Sequence, residues 1–102
     1  MEIFDQIADP MSSKSSLQFT EKQGQYLAFI HAYTLLNRQP PAEADFQRFF
    51  GVTPPTVHDM ILGLERRGLI SRVARQPRSI KLTVPLADLP QLQSIDISVS
   101  RY

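Results

Sequence analysis

No cysteine occurs in this chain of 102 residues, which removes disulfides, thiolate metal sites and thiol nucleophiles together. Histidine is nearly absent as well. The two present, His31 and His58, stand too far apart for a short metal-binding motif. The four glycines form no phosphate-cradling loop, and no pair of carboxylates shares one helix face. Apolar runs fall well short of the roughly 20 residues that a membrane helix needs. Residues 1–19 lack the basic start, apolar stretch and small-residue cleavage site of an export signal. These absences leave a non-enzyme with no cofactor, no metal and no membrane association, and a cytoplasmic address. What is present, 42% hydrophobic and 21% charged residues, describes one small globular domain. At this length it can bury about 60–65% of its unfolded surface.

The net charge of +1 neither demands nor excludes a nucleic-acid partner, but its distribution is informative. Arg66, Arg67, Arg72, Arg75, Arg78 and Lys81 are six of the eleven basic residues and fall in a window with no acidic residue. Acidic residues lie mostly before it, so the chain is electrically polarised along its length.

Residues 1–16 combine the Pro10 break with a serine-rich run, Ser12 to Ser16, and are expected to form a flexible arm. Lys14 within that run makes no catalytic Ser and Lys pair, because such a pair requires a rigid pocket. Thr20 with Gln23 three residues later is a capping-box pattern, and Tyr26, Leu27, Ile30 and Tyr33 recur at helical spacing. A first helix over 20–37 follows, closed by Pro40 and Pro41. A second, from Ala42 to Phe50, ends at Gly51. Thr53 with Pro54 supplies an N-cap and a first-turn proline for a third helix reaching about Arg67. Val57, Met60, Ile61 and Leu64 share one face of it, and Gly68 is its left-handed stop. Leu69 to Val73 and Ser79 to Val84 read as the strands of a hairpin with a long tip. Ile95, Ile97 and Val99 alternate with polar residues in a tail over 86–102, which could add a strand or a dimer contact. The six aromatics Tyr26, Phe29, Tyr33, Phe46, Phe49 and Phe50 have the spacing of a core rather than of a base-stacking surface.

Helix, short helix, turn, helix and arginine-bearing hairpin make 17–85 an α+β winged helix-turn-helix domain, whose third helix enters a DNA major groove. Thr53, Pro55, Thr56, His58 and Asp59 occupy the first turns of that helix, from which side chains reach base edges. Asp59 is expected to orient a neighbouring arginine. Arg66 and Arg67 suit the helix dipole irrespective of any ligand. Arg72, Arg75, Arg78 and Lys81 on the hairpin would neutralise phosphates. The expected partner is double-stranded DNA; a protein-interaction adaptor of the same fold is the alternative, and RNA a weaker one.

The segment Gln23–Leu82 resembles the DNA-binding domain of LexA-type repressors. The resemblance is carried by Pro40 and Pro41, by Thr56, Val57 and His58, by the run from Leu64 to Ile70, and by the run from Pro77 to Leu82. It implies a repressor that binds a specific operator as a dimer, with contacts on Thr53, Pro55, Thr56, His58 and Asp59. Two departures stand out. There is no Ala-Gly dipeptide and the chain stops at Tyr102, so self-cleavage is not expected and a homodimer would have to use the arm or the tail. Ala42 stands where the family places a hydroxyl cap, a loss of about 1 kcal/mol.

Overall fold

The structure is a computed structural model that describes residues 18–93. The expected arm and the candidate strand at 95–99 lie outside the described residues. Within them the chain forms three α-helices, α1 (Glu21–Asn37), α2 (Glu43–Phe50) and α3 (Pro54–Arg66). These precede an antiparallel two-stranded sheet, β1 (Ile70–Ser71) with β2 (Lys81–Leu82), and a 3-10 turn over Leu86–Asp88. The architecture is α+β.

Each helix starts and stops at a local signal. The backbone N–H of Gln23 donates to Thr20 Oγ1 at 3.1 Å, while Thr20 N–H donates to Gln23 Oε1 at 3.0 Å. This satisfies two of the orphan donors at the start of α1. Its far end is closed by Arg38 in the left-handed region, φ 61°. At α2 the missing hydroxyl of Ala42 is partly replaced: Ala42 N–H donates to Asp45 Oδ2 at 2.8 Å, half of a reciprocal cap. Gly51 ends α2 and Gly68 follows α3, at φ 66° and 74°, where a Cβ would be strained.

The three helices meet over one core. Leu27, Phe46, Val57 and Leu64 have no exposed surface, and Ile61, Tyr26 and Ile30 are nearly as buried. Tyr26 stacks on Phe50 with ring centres 4.3 Å apart, and Phe29 on Phe49 at 4.7 Å, so the aromatics do fill the interior. Leu69, Ile70 and Ile80 close it from the hairpin side.

The hairpin is shorter than its β-branched residues suggest. Ile70 pairs with Leu82 and Ser71 with Lys81, one further bond runs from Thr83 N–H to Leu69 O at 3.0 Å, and the ladder stops there. Beyond Ser71 a side chain takes over. Ser79 Oγ accepts from Val73 N–H at 2.9 Å and lies 3.1 Å and 2.8 Å from the carbonyl oxygens of Val73 and Gln76. Arg75 and Arg78 both turn left-handed there, at φ 65° and 57°, which is incompatible with a continuing strand. After β2 the chain folds back onto α1. Gln25 Nε2 donates to Gln91 O at 2.9 Å, and Gln93 N–H donates to Gln25 Oε1 at 2.8 Å.

Candidate nucleic-acid interface

Pro54 and Pro55 fill the first positions of α3, where a missing N–H costs no helical bond. Thr56 N–H donates to Thr53 Oγ1 across 3.4 Å, and the two hydroxyls lie 2.9 Å apart. Because Val57, Ile61 and Leu64 root the helix in the core, its other side faces water. Thr53, Pro55, Thr56, His58 and Asp59 are all exposed. Asp59, expected to orient an arginine, makes no ion pair among the described residues. Its helical neighbours three and four positions away are Pro55, Thr56, Leu62 and Gly63, none of them a cation.

A groove of about 450 Å³ runs between the start of α2, the outer side of α3 and the hairpin tip. Glu43, His58, Arg72, Arg75 and Arg78 all line it. His58 and the hairpin arginines therefore do share one concavity. His58 Nδ1 lies 3.4 Å from Glu43 Oε2, and both side chains are about half exposed. Water screens that pair heavily.

The four hairpin cations divide into two kinds. Arg75 and Lys81 are exposed and their side chains make no hydrogen bond or ion pair among the described residues. Arg72 and Arg78, expected at phosphates with the others, have partners inside the domain. Arg72 is 20% exposed, and its Nε donates to Glu65 Oε1 at 3.1 Å. Arg78 Nη1 lies 3.1 Å from each of Tyr33 Oη, Pro40 O and Asp45 Oδ2. Its guanidinium carbon sits 5.8 Å from the centre of the Tyr33 ring. Of the pair assigned to the helix dipole, Arg66 ends α3, while Arg67 Nη2 donates to Gln18 O at 2.9 Å.

Asp45 is the residue that sequence reasoning missed. It is 6% exposed, a rare state for a carboxylate unless paired. Burial pushes its pKa up, but the Ala42 N–H, the Arg78 charge, the Tyr33 hydroxyl and Arg48 outweigh that and hold it below the usual aspartate value. Arg78 is shifted up in turn, chiefly by its bond to Tyr33. An acidic residue three positions after the N-cap of α2 was the one local hint of this centre. Among the described residues no group of His, Asp and Glu could hold a metal ion, and no helix is long and apolar enough to cross a membrane.

These elements define an α+β domain of three helices closed by a short antiparallel hairpin, an arrangement consistent with a winged helix. No family model matches the chain. It is 37% identical over 65 residues to the LexA repressor of Thermosipho melanesiensis, an alignment covering 64% of this chain and 33% of that protein. With the LexA repressor of Syntrophomonas wolfei it shares 35% identity over 86 residues, 83% of this chain and 41% of the relative. With that of Bacillus subtilis it shares 30% over 83 residues, 80% and 40% respectively. The chain is thus a homologue of LexA repressors over the matched segment, as its motifs indicated, and it spans a third to two fifths of the length of these relatives.

Proposed function

We propose that the chain is a winged helix-turn-helix transcription repressor that binds double-stranded DNA sequence-specifically in the cytoplasm, acting by binding rather than catalysis. The observation that carries this reading is the groove that α3 shares with the hairpin. His58, on the first turns of α3, stands on one side of it, and Arg75, without a side-chain partner among the described residues, on the other. A helix fits the B-DNA major groove, where Thr56, His58 and Asp59 would meet base edges. Arg75 would bind the adjacent phosphates, supplying affinity without sequence information, whereas Lys81 lines a separate recess with Ile30, His31 and Thr34 of α1. A homodimer would read two half-sites about 34–36 Å apart. The similarity to LexA repressors supports the same reading.

A protein-interaction adaptor would instead require exposed apolar side chains on α3. Among the described residues the large exposed hydrophobics are Leu35, Leu36, Val73 and Leu86, none of them on that helix. The test is selection of bound duplexes from a random library at near-physiological salt. Enrichment of one motif is expected, and Thr56→Ala or His58→Ala should change the preferred bases by about 1–3 kcal/mol of discrimination at the contacted position. Failure to enrich any motif would refute sequence-specific recognition.

A further inference from the structure

We propose that Arg78 is a positioning residue that fastens the hairpin to the helices, while Arg75 meets the phosphates. This rests on the DNA-binding reading above. The hairpin needs such a fastening, because its ladder pairs only two residues on each strand and two-stranded hairpins are marginal by themselves. Its tip is closed internally by Ser79, whose hydroxyl joins Val73 and Gln76. The neighbouring Arg78 attaches this closed loop to three separate places: Tyr33 in α1, Pro40 in the connection, and Asp45 in α2. Those same helices carry the core against which α3 packs, so the bond sets the hairpin tip relative to the side of α3 that faces the groove.

Charge and hydrogen-bond supply separate Arg78 from Arg75. Nη1 of Arg78 has two hydrogens and three acceptors within 3.1 Å, so this nitrogen is committed inside the domain and only Nη2 and Nε keep hydrogens for another ligand. The Asp45 carboxylate, shared with Arg48, offsets part of its charge, so Arg78 displaces fewer counterions from DNA than an unpaired arginine would. Arg75 lies three residues earlier on the same loop, exposed and without a side-chain partner among the described residues. The first arginine to emerge from the loop is available to a ligand, and the second holds the loop still.

The experiment measures affinity of the full chain for its selected duplex across a salt series, together with NMR of the free protein. Arg78→Ala is expected to weaken binding about tenfold through the cost of ordering the loop on the duplex, with the slope of log K against log salt lowered clearly less than by Arg75→Ala. Arg75→Ala should lower that slope by about 0.9, the value of one phosphate contact. In the free protein, Arg78→Ala should loosen residues 73–79 and speed exchange of the Val73 amide, and Arg75→Ala should not. Arg78→Lys, which keeps charge but not the planar fork, should loosen the loop as well and serves if the alanine variant folds poorly. A slope lowered by Arg78→Ala as much as by Arg75→Ala, or an unchanged loop in both Arg78 variants, would overturn the proposal. If the wild-type chain binds no duplex, the DNA reading fails and the NMR comparison alone decides whether Arg78 sets the loop.

Discussion

Replacing Asp45 by asparagine keeps the shape of the side chain and removes its charge. The carboxylate accepts from Ala42 N–H at 2.8 Å, faces Arg78 at 3.1 Å, and also bonds Arg48. Hydrogen bonds to a charged group are worth about 1.5–3 kcal/mol each, but the three share one carboxylate and do not add. Arg48 is 71% exposed and contributes little after solvent screening. An asparagine oxygen can still accept one of the remaining two bonds. A loss of about 2–3 kcal/mol at neutral pH follows, which for a domain of this size lowers the Tm by roughly 10–20 °C. The pH dependence has a definite sign. The folded-state pKa of Asp45 is depressed, so its contribution is full above the unfolded value of about 3.9 and disappears as pH falls through the folded value. Thermal melts followed by helical circular dichroism at pH 7, and at a series of values below 4, measure both effects. The gap between wild type and Asp45→Asn should be wide at pH 7 and close progressively in acid. A gap under roughly 3 °C at pH 7, or one that persists undiminished in acid, would refute the assignment of Asp45 as a buried, charge-paired anchor.

Arg75→Gly should raise stability by about 1 kcal/mol, because it relieves a left-handed backbone at a non-glycine residue, while weakening duplex binding; urea melts and binding titrations on the same variant check the opposed signs. Thr20→Ala should cost about 1 kcal/mol through loss of the α1 cap, and Thr53→Ala less, since its contact to Thr56 N–H is long at 3.4 Å; paired urea melts read the difference. Leu64→Ala should cost about 2–5 kcal/mol, because Leu64 has no exposed surface and its truncation leaves a cavity at the crossing of α3 with the core.

The helices were legible because their limits are set by neighbours in sequence. Thr20 with Gln23, the prolines at 40 and 41, Gly51, Thr53 with Pro54, and Gly68 each act within one turn. The exposed side of α3 was legible for the same reason, as the complement of the Val57, Ile61 and Leu64 stripe. The hairpin misled because Ile70, Val73, Ile80 and Val84 carry strand propensity, whereas the conformation of the tip is decided by Ser79 bonding across the loop and by two left-handed arginines. Arg78 could not be distinguished from Arg75 by residue type or position. Its partners Tyr33 and Asp45 lie in other helices, and only their approach in three dimensions separates a fastened arginine from a free one. The amide clamp of Gln25 on Gln91 and Gln93 was hidden in the same way.

That clamp has a practical corollary for attaching a probe or a fusion partner. Phe19 and Thr20 share a recess with Gln91 and Gln93, so the described backbone arrives and departs side by side. Gln18 meets Arg67, just past the last turn of α3, and a helix rising 1.5 Å per residue puts Pro54 about 20 Å away. A fluorophore attached at Gln93 itself, beside Gln25 and Thr20, would sit at the rear of the domain, away from the leading end of α3.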